Sequence, residues 1–252
     1  MLGKYPKNRA KIMTRILLIL GLCLGFSTTL LAQEKTIGVF VALADNQHQG
    51  IIPVPKAIGN GDDPERNLYW GTAEGIKGVF DKSRAWRLVE KLDTANGVVL
   101  RTRTYQHKTY PAKLIAKAYQ GAAIQQATQD FEQALREHQY DLAIYVGHNG
   151  LMDFRLAAPA APTDASKASD AMVLACKSEA YFKPRLQALG ANPLLLTTQF
   201  MYPGAFIVEA ATESWLKDQN RALIRANAGK AYAHNQKLSV KAGTGIFADL
   251  GE

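Results

Sequence analysis

The run Thr36-Ile37-Gly38-Val39-Phe40-Val41-Ala42-Leu43-Ala44 carries no charge and shows no alternation of apolar with polar residues. A strand with one wet face alternates, so an unbroken run of this kind fits a strand buried on both faces of a sheet. Such a strand needs a covering layer on each side. The segments 141–146, 171–175 and 193–197 read in the same way. Between them lie stretches of helical character at 65–80, 111–139 and 179–189, with two more helices starting near Gly204 and covering 220–237. Within 111–139, Ile124, Ala127, Phe131 and Leu135 recur at three and four residues and mark a buried stripe. Asn96-Gly97, between the β-rich stretches 86–92 and 98–105, signals a hairpin. Strands alternating with helices predict an α/β fold, a three-layer sandwich whose mainly parallel sheet is covered by helices on both faces.

The formal charge of +8 over 252 residues suggests a polyanionic partner until the charges are located. Residues 1–32 hold five of the 30 basic side chains and none of the 22 acidic ones, leaving 25 basic against 22 acidic. That balance favours no nucleic acid. The five cations precede an apolar core from Ile16 to Phe26, and Leu30-Leu31-Ala32 then meets Gln33-Glu34-Lys35. Basic region, short apolar core and small residue form the pattern of a secretory signal cleaved after Ala32. The core is short for a spanning helix, which takes roughly 20 apolar residues. The expectation is therefore a signal peptide at 1–32 and a single α/β domain at 33–252. That domain would be exported, periplasmic or secreted, and would have no membrane span after cleavage. Cys23 would leave with the signal, so that Cys176 becomes the only thiol and no internal disulfide forms.

In parallel sheets, ligands bind beyond the carboxyl ends of the strands. Four such ends present Asp45 with His48, His148 with Gly150, Cys176, and Thr197 with Thr198. There is no G-x-S-x-G elbow, H-E-x-x-H, C-x-x-C or P-loop, and the five histidines lack metal-ligand spacing, so neither metal nor cofactor is expected. His107, His138 and His234 sit among polar residues and read as solvated. The combination left standing is His148 with Cys176. A cysteine nucleophile needs a group that takes its proton and later protonates the leaving amine, and imidazole does both. Gly150 offers a backbone N–H to a developing oxyanion, and the Cys176 N–H would be a second donor. Asp45 fits either a carboxylate that selects a basic side chain or an Asx turn closing the first strand. His48 is a further site candidate. Tyr69-Trp70 and Tyr202-Pro203 fit the lining of a cleft or the core. Taken alone, a strand-end cysteine is also a small buried hydrophobe, and a histidine in a glycine-rich turn also satisfies backbone groups.

An apolar strand running into His-Gly, followed by another running into Ala-Cys, resembles the caspase-like cysteine peptidases, which include legumains, separases and gingipains. The matching pieces are Leu142-Ala143-Ile144-Tyr145-Val146-Gly147-His148-Asn149-Gly150 and Met172-Val173-Leu174-Ala175-Cys176. The resemblance implies a caspase-like fold, a His148–Cys176 dyad, Gly150 at the oxyanion site and a peptide or protein substrate. It also implies a pocket for the residue before the scissile bond, lined by Asp45 and the stretch from Thr198 to Tyr202. One departure is visible: Asn149 stands between His148 and Gly150, where the family has His followed directly by Gly. That departure fits an alternative, a non-catalytic periplasmic module on the same scaffold that binds a peptide, glycan or partner protein.

Overall fold

The computed structural model describes residues 33–94 and 97–251. The expected signal segment and Asn96 of the hairpin turn lie outside the described residues. The long apolar run forms β1 (Lys35–Ala42), and its neighbours are β4 (Ala112–Tyr119) on one side and β5 (Leu142–Val146) on the other, both parallel to it. Beyond β5, the strands β6 (Asp170–Leu174) and β7 (Asn192–Leu195) continue in parallel. Beyond β4, β3 (Val99–His107) and β2 (Trp86–Asp93) add an antiparallel hairpin. The sheet order is β2-β3-β4-β1-β5-β6-β7.

The two-residue period of β1 divides its side chains between two cores. Ile37, Val39 and Val41 enter a core with Trp70, Phe80 of α1 (Ile76–Phe80), Val208 of α4 (Ala205–Leu216) and Tyr232 of α5 (Arg221–Gln236). Phe40 and Ala42 enter the other, with Phe131 of α2 (Ile124–Arg136) and Phe182 of α3 (Ser178–Ala188). This is a three-layer α/β sandwich, and β1 is dry on both faces because both faces are covered. On the second face, Phe131 meets Phe40, Tyr145 and Phe182 in edge-on or tilted contacts at 5.9–6.3 Å. Truncating a fully buried phenylalanine at such a junction costs about 3–5 kcal/mol. The stripe Ile124, Ala127, Phe131, Leu135 is buried throughout, and the hairpin forms as expected.

Two elements differ from the expectation. The segment 111–139 is not one helix, since Ala112–Tyr119 is a strand and α2 begins only at Ile124. Alanine-rich sequence favours helix locally, yet Ala112, Leu114, Ala116 and Ala118 all point into one core from between β1 and β3. Pairing on both edges overrides the local preference. The segment 65–80 is a chain of turns that becomes helical only at Ile76. A Cβ on Gly71 or Gly78 would lie 1.9 Å from the carbonyl oxygen of Glu65 or Thr72. These glycines allow the backbone to fold onto itself, which a regular helix would not do. Among the described residues no helix is long and apolar enough to cross a membrane.

Candidate active site

Because β1, β5, β6 and β7 are parallel, their carboxyl ends share one edge of the sheet. The chain leaving β1 runs to β2 on one side of the sheet and the chain leaving β5 runs to β6 on the other, and a crevice opens at such a reversal. A cavity of about 390 Å³ is lined by chain leaving β5 (Gly147, His148, Met152), β6 (Cys176) and β7 (Phe200 to Pro203). The loop after β1, with Tyr69 and Tyr232, completes it. Its size suits a small ligand or one side chain of a larger one.

Gly147 makes the first turn. Its φ of +144° is a conformation that side-chain-bearing residues rarely adopt, and a Cβ there would sit 2.7 Å from the Ala42 carbonyl oxygen. His148 follows, with its imidazole only 7% exposed. Its Nε2 lies 2.7 Å from Asp153 Oδ2, which also accepts the Gly50 N–H at 2.9 Å. An ionised carboxylate only accepts, so in the neutral ring Nε2 carries the proton and Nδ1 the lone pair. Among the described residues Nδ1 has no hydrogen-bond partner. Asn149, the departure from the family pattern, is fully buried and donates from Nδ2 to the Cys176 carbonyl at 2.7 Å. It clamps the ends of β5 and β6 together.

Cys176 is half-buried. Its Sγ receives the Met201 N–H at 3.4 Å and faces the Met201 carbonyl at 3.6 Å. The thiol and the imidazole therefore line one cavity without being hydrogen-bonded to each other. Lys177, next in the chain, takes the left-handed conformation (φ 51°, ψ 33°), costing roughly 1–2 kcal/mol for a residue with a Cβ. That kink joins β6 to α3. The kink is held because the Ser178 and Glu179 N–H groups donate to Thr197 and Ser178 Oγ donates to the Val173 carbonyl. Among the described residues the Cys176 N–H has no acceptor. Tyr69 also faces the cavity; burial, reinforced by the neighbouring Cys176 sulfur, pushes its hydroxyl above the usual range and keeps it a donor.

Gly150, Asp45, His48 and Thr198 do not line this cavity, whereas Phe200, Met201 and Tyr202 of the expected stretch do. Gly150 is corrected as an oxyanion donor: its N–H bonds the His148 carbonyl at 3.1 Å, and its Cα is packed beneath the Phe154 ring. Asp45 closes an Asx turn, accepting the Gln47 and His48 N–H groups at 2.8 and 3.2 Å, with Gly61 and Gly121 pressed against it. His48 rests on Asp45 with its ring half exposed. Thr198 bonds the Ile246 carbonyl at the surface. Tyr69, Tyr202 and Pro203 line the cavity, whereas Trp70 belongs to the core.

His107 is a further correction. It is buried, accepts the Thr109 and Tyr110 N–H groups on Nδ1 and holds Glu213 on Nε2 at 2.9 Å, fixing the β3–β4 corner. Asp153 was hidden from sequence reasoning. It follows His148 by five residues across one 3-10 turn, a spacing that neither strand nor helix periodicity brings together. Compared with protein-family models, curated proteins and solved structures, the chain matches none.

Proposed function

We propose that the chain is an exported cysteine hydrolase of caspase-like fold, acting on a peptide-type carbonyl. The observation that carries this reading is that a half-buried thiol and a carboxylate-oriented imidazole line one cavity at the carboxyl edge of a parallel sheet. When substrate fills the cavity, the Cys176 thiol exchanges its weak contact with the Met201 carbonyl for His148 Nδ1, since catalytic hydrogen bonds often tighten only in the complex. The sulfur then bonds to the carbonyl carbon as Nδ1 takes the thiol proton. The Cys176 N–H and the Tyr69 hydroxyl face the developing oxyanion, in place of Gly150. Collapse breaks the C–N bond, and the imidazolium gives its proton to the departing amine. Water, deprotonated by the same nitrogen, then hydrolyses the thioester and returns the thiol. Asp153 keeps its hydrogen bond to Nε2 throughout and stabilises the imidazolium.

Replacing Cys176 by Ala should lower hydrolysis of a fluorogenic peptide library by at least about 10³-fold. Undiminished hydrolysis would end this assignment. A second reading, a binding module that hydrolyses nothing, draws on the Met201 main chain already holding the thiol and on the occupied Gly150 N–H. It predicts peptide or glycan binding with no turnover in either protein. Export has its own test: Edman sequencing of the protein recovered from the envelope or medium should start at Gln33.

A further inference from the structure

None of the residues lining the cavity carries a carboxylate, an ammonium or a guanidinium group. The carboxylate expected to select a basic side chain, Asp45, is engaged by its own turn and lies outside the lining. The apolar walls are Ile51, Val54, Leu68, Met152 and the rings of Tyr202 and Tyr232, and the amide of Gln236, whose Nε2 donates to Asn235, joins them. Tyr232 Oη accepts the Tyr202 N–H, and burial, reinforced by the Glu74 carboxylate, pushes the Tyr202 hydroxyl above its ordinary range. Two large apolar side chains at the cavity, Ile52 and Phe200, stand 86% and 62% exposed. Among the described residues the Lys177 ammonium lies over the Phe200 ring, and a bound apolar group would cover the apolar surface that both still expose.

We propose that this cavity receives an uncharged apolar side chain, aliphatic or aromatic, from the peptide residue whose carbonyl Cys176 attacks. The proposal rests on the hydrolase reading and adds its substrate class. A charged side chain placed there would lose its water and find no carboxylate, ammonium or guanidinium in the lining to pair with, which disfavours it. An apolar one buries its own surface and that of the walls. Lys177 has its ammonium 4.6 Å from the Phe200 ring centre and is not part of the lining.

The test uses peptidyl acyloxymethyl ketones that differ only in the residue beside the reactive carbonyl, with the rate of Cys176 adduct formation read by intact mass. Leu, Phe or Met reagents should label at least about 100-fold faster than Arg, Lys or Asp reagents, the scale on which pockets discriminate. Fastest labelling by Arg or Lys overturns the proposal, as does preference for Asp, which would assign selection to Lys177. Binding of unreactive N-acetyl peptide amides to the Cys176→Ala protein, followed by NMR, separates pocket from chemistry. Leu or Phe peptides binding above Arg and Asp peptides supports the apolar pocket even where no reagent labels, an outcome that would end only the hydrolase reading. Equal or absent binding of all peptides overturns the pocket. In Ile52→Asp, whose site is too exposed to disturb folding, the ratio of Leu to Arg labelling should fall at least about 10-fold; an unchanged ratio contradicts the proposed placement.

Discussion

Two aspartate–histidine pairs occupy the same edge of the sheet, and they are built inside out relative to each other. In Asp45–His48 the carboxylate is buried (7% exposed) and the imidazole is half in water (53%). In His148–Asp153 the imidazole is buried (7%) and the carboxylate reaches solvent (32%). The hydrogen-bond lengths are similar, 2.9 and 2.7 Å. The difference lies in what the inner member faces. Asp45 turns Oδ1 onto two backbone N–H groups of its own loop, so its histidine, on Oδ2, adds a contact to a turn that is already closed. His148 presents one nitrogen to a carboxylate and sits in a cavity with a thiol. Proximity of the two residue types does not make a site. The direction of burial decides whether the ring is ornament or reagent.

The comparison breaks most sharply on the histidines. His148→Ala should reduce peptide hydrolysis by at least about 10³-fold through loss of acid–base transfer, measured as kcat/KM on the preferred peptide. His48→Ala should stay within about twofold, as for a surface group. Comparable losses in the two would erase the functional difference between the pairs. Tyr69→Phe should cost about 10²-fold in kcat with little change in KM, as expected for an oxyanion donor. A change in KM alone would return Tyr69 to the cavity wall.

Asp153→Asn should cost at least about 10-fold, the lower end of the range found when a carboxylate orienting a metal-bound imidazole is lost. The nitrogen-15 shifts of His148 should then move away from the Nε2–H tautomer. Unaltered shifts would remove the orienting role. Asp45→Ala acts on the other pair and through folding alone. It should lower the urea-unfolding free energy by about 1–2 kcal/mol while leaving hydrolysis per folded molecule unchanged. Lost activity without lost stability would restore Asp45 as a specificity carboxylate.

Much of this architecture is legible in the chain before folding. β1 declares double burial because Ile37 to Ala44 holds no polar side chain, and α2 declares its stripe through Ile124, Phe131 and Leu135. His148 and Cys176 were findable for the same reason: each follows an unbroken apolar strand, so sheet topology carries both to one edge. β4 was hidden because its inward positions are mostly alanine, whose local preference opposes the pairing that β1 and β3 impose. Gly150 reads as an open backbone position, but in the folded chain the Phe154 ring fills that space. Asn149 looks like an intrusion in the motif and proves to be the clamp on the Cys176 carbonyl.

The most direct measurement is the second-order rate at which a leucine-containing peptidyl ketone alkylates the protein, compared between the native chain and His148→Ala, with the adduct mapped by tryptic mass spectrometry. Cooperation of thiol and imidazole predicts one adduct, on Cys176, forming at least about 100-fold more slowly without the ring. Equal rates in the two proteins, or an adduct on another residue, would contradict it.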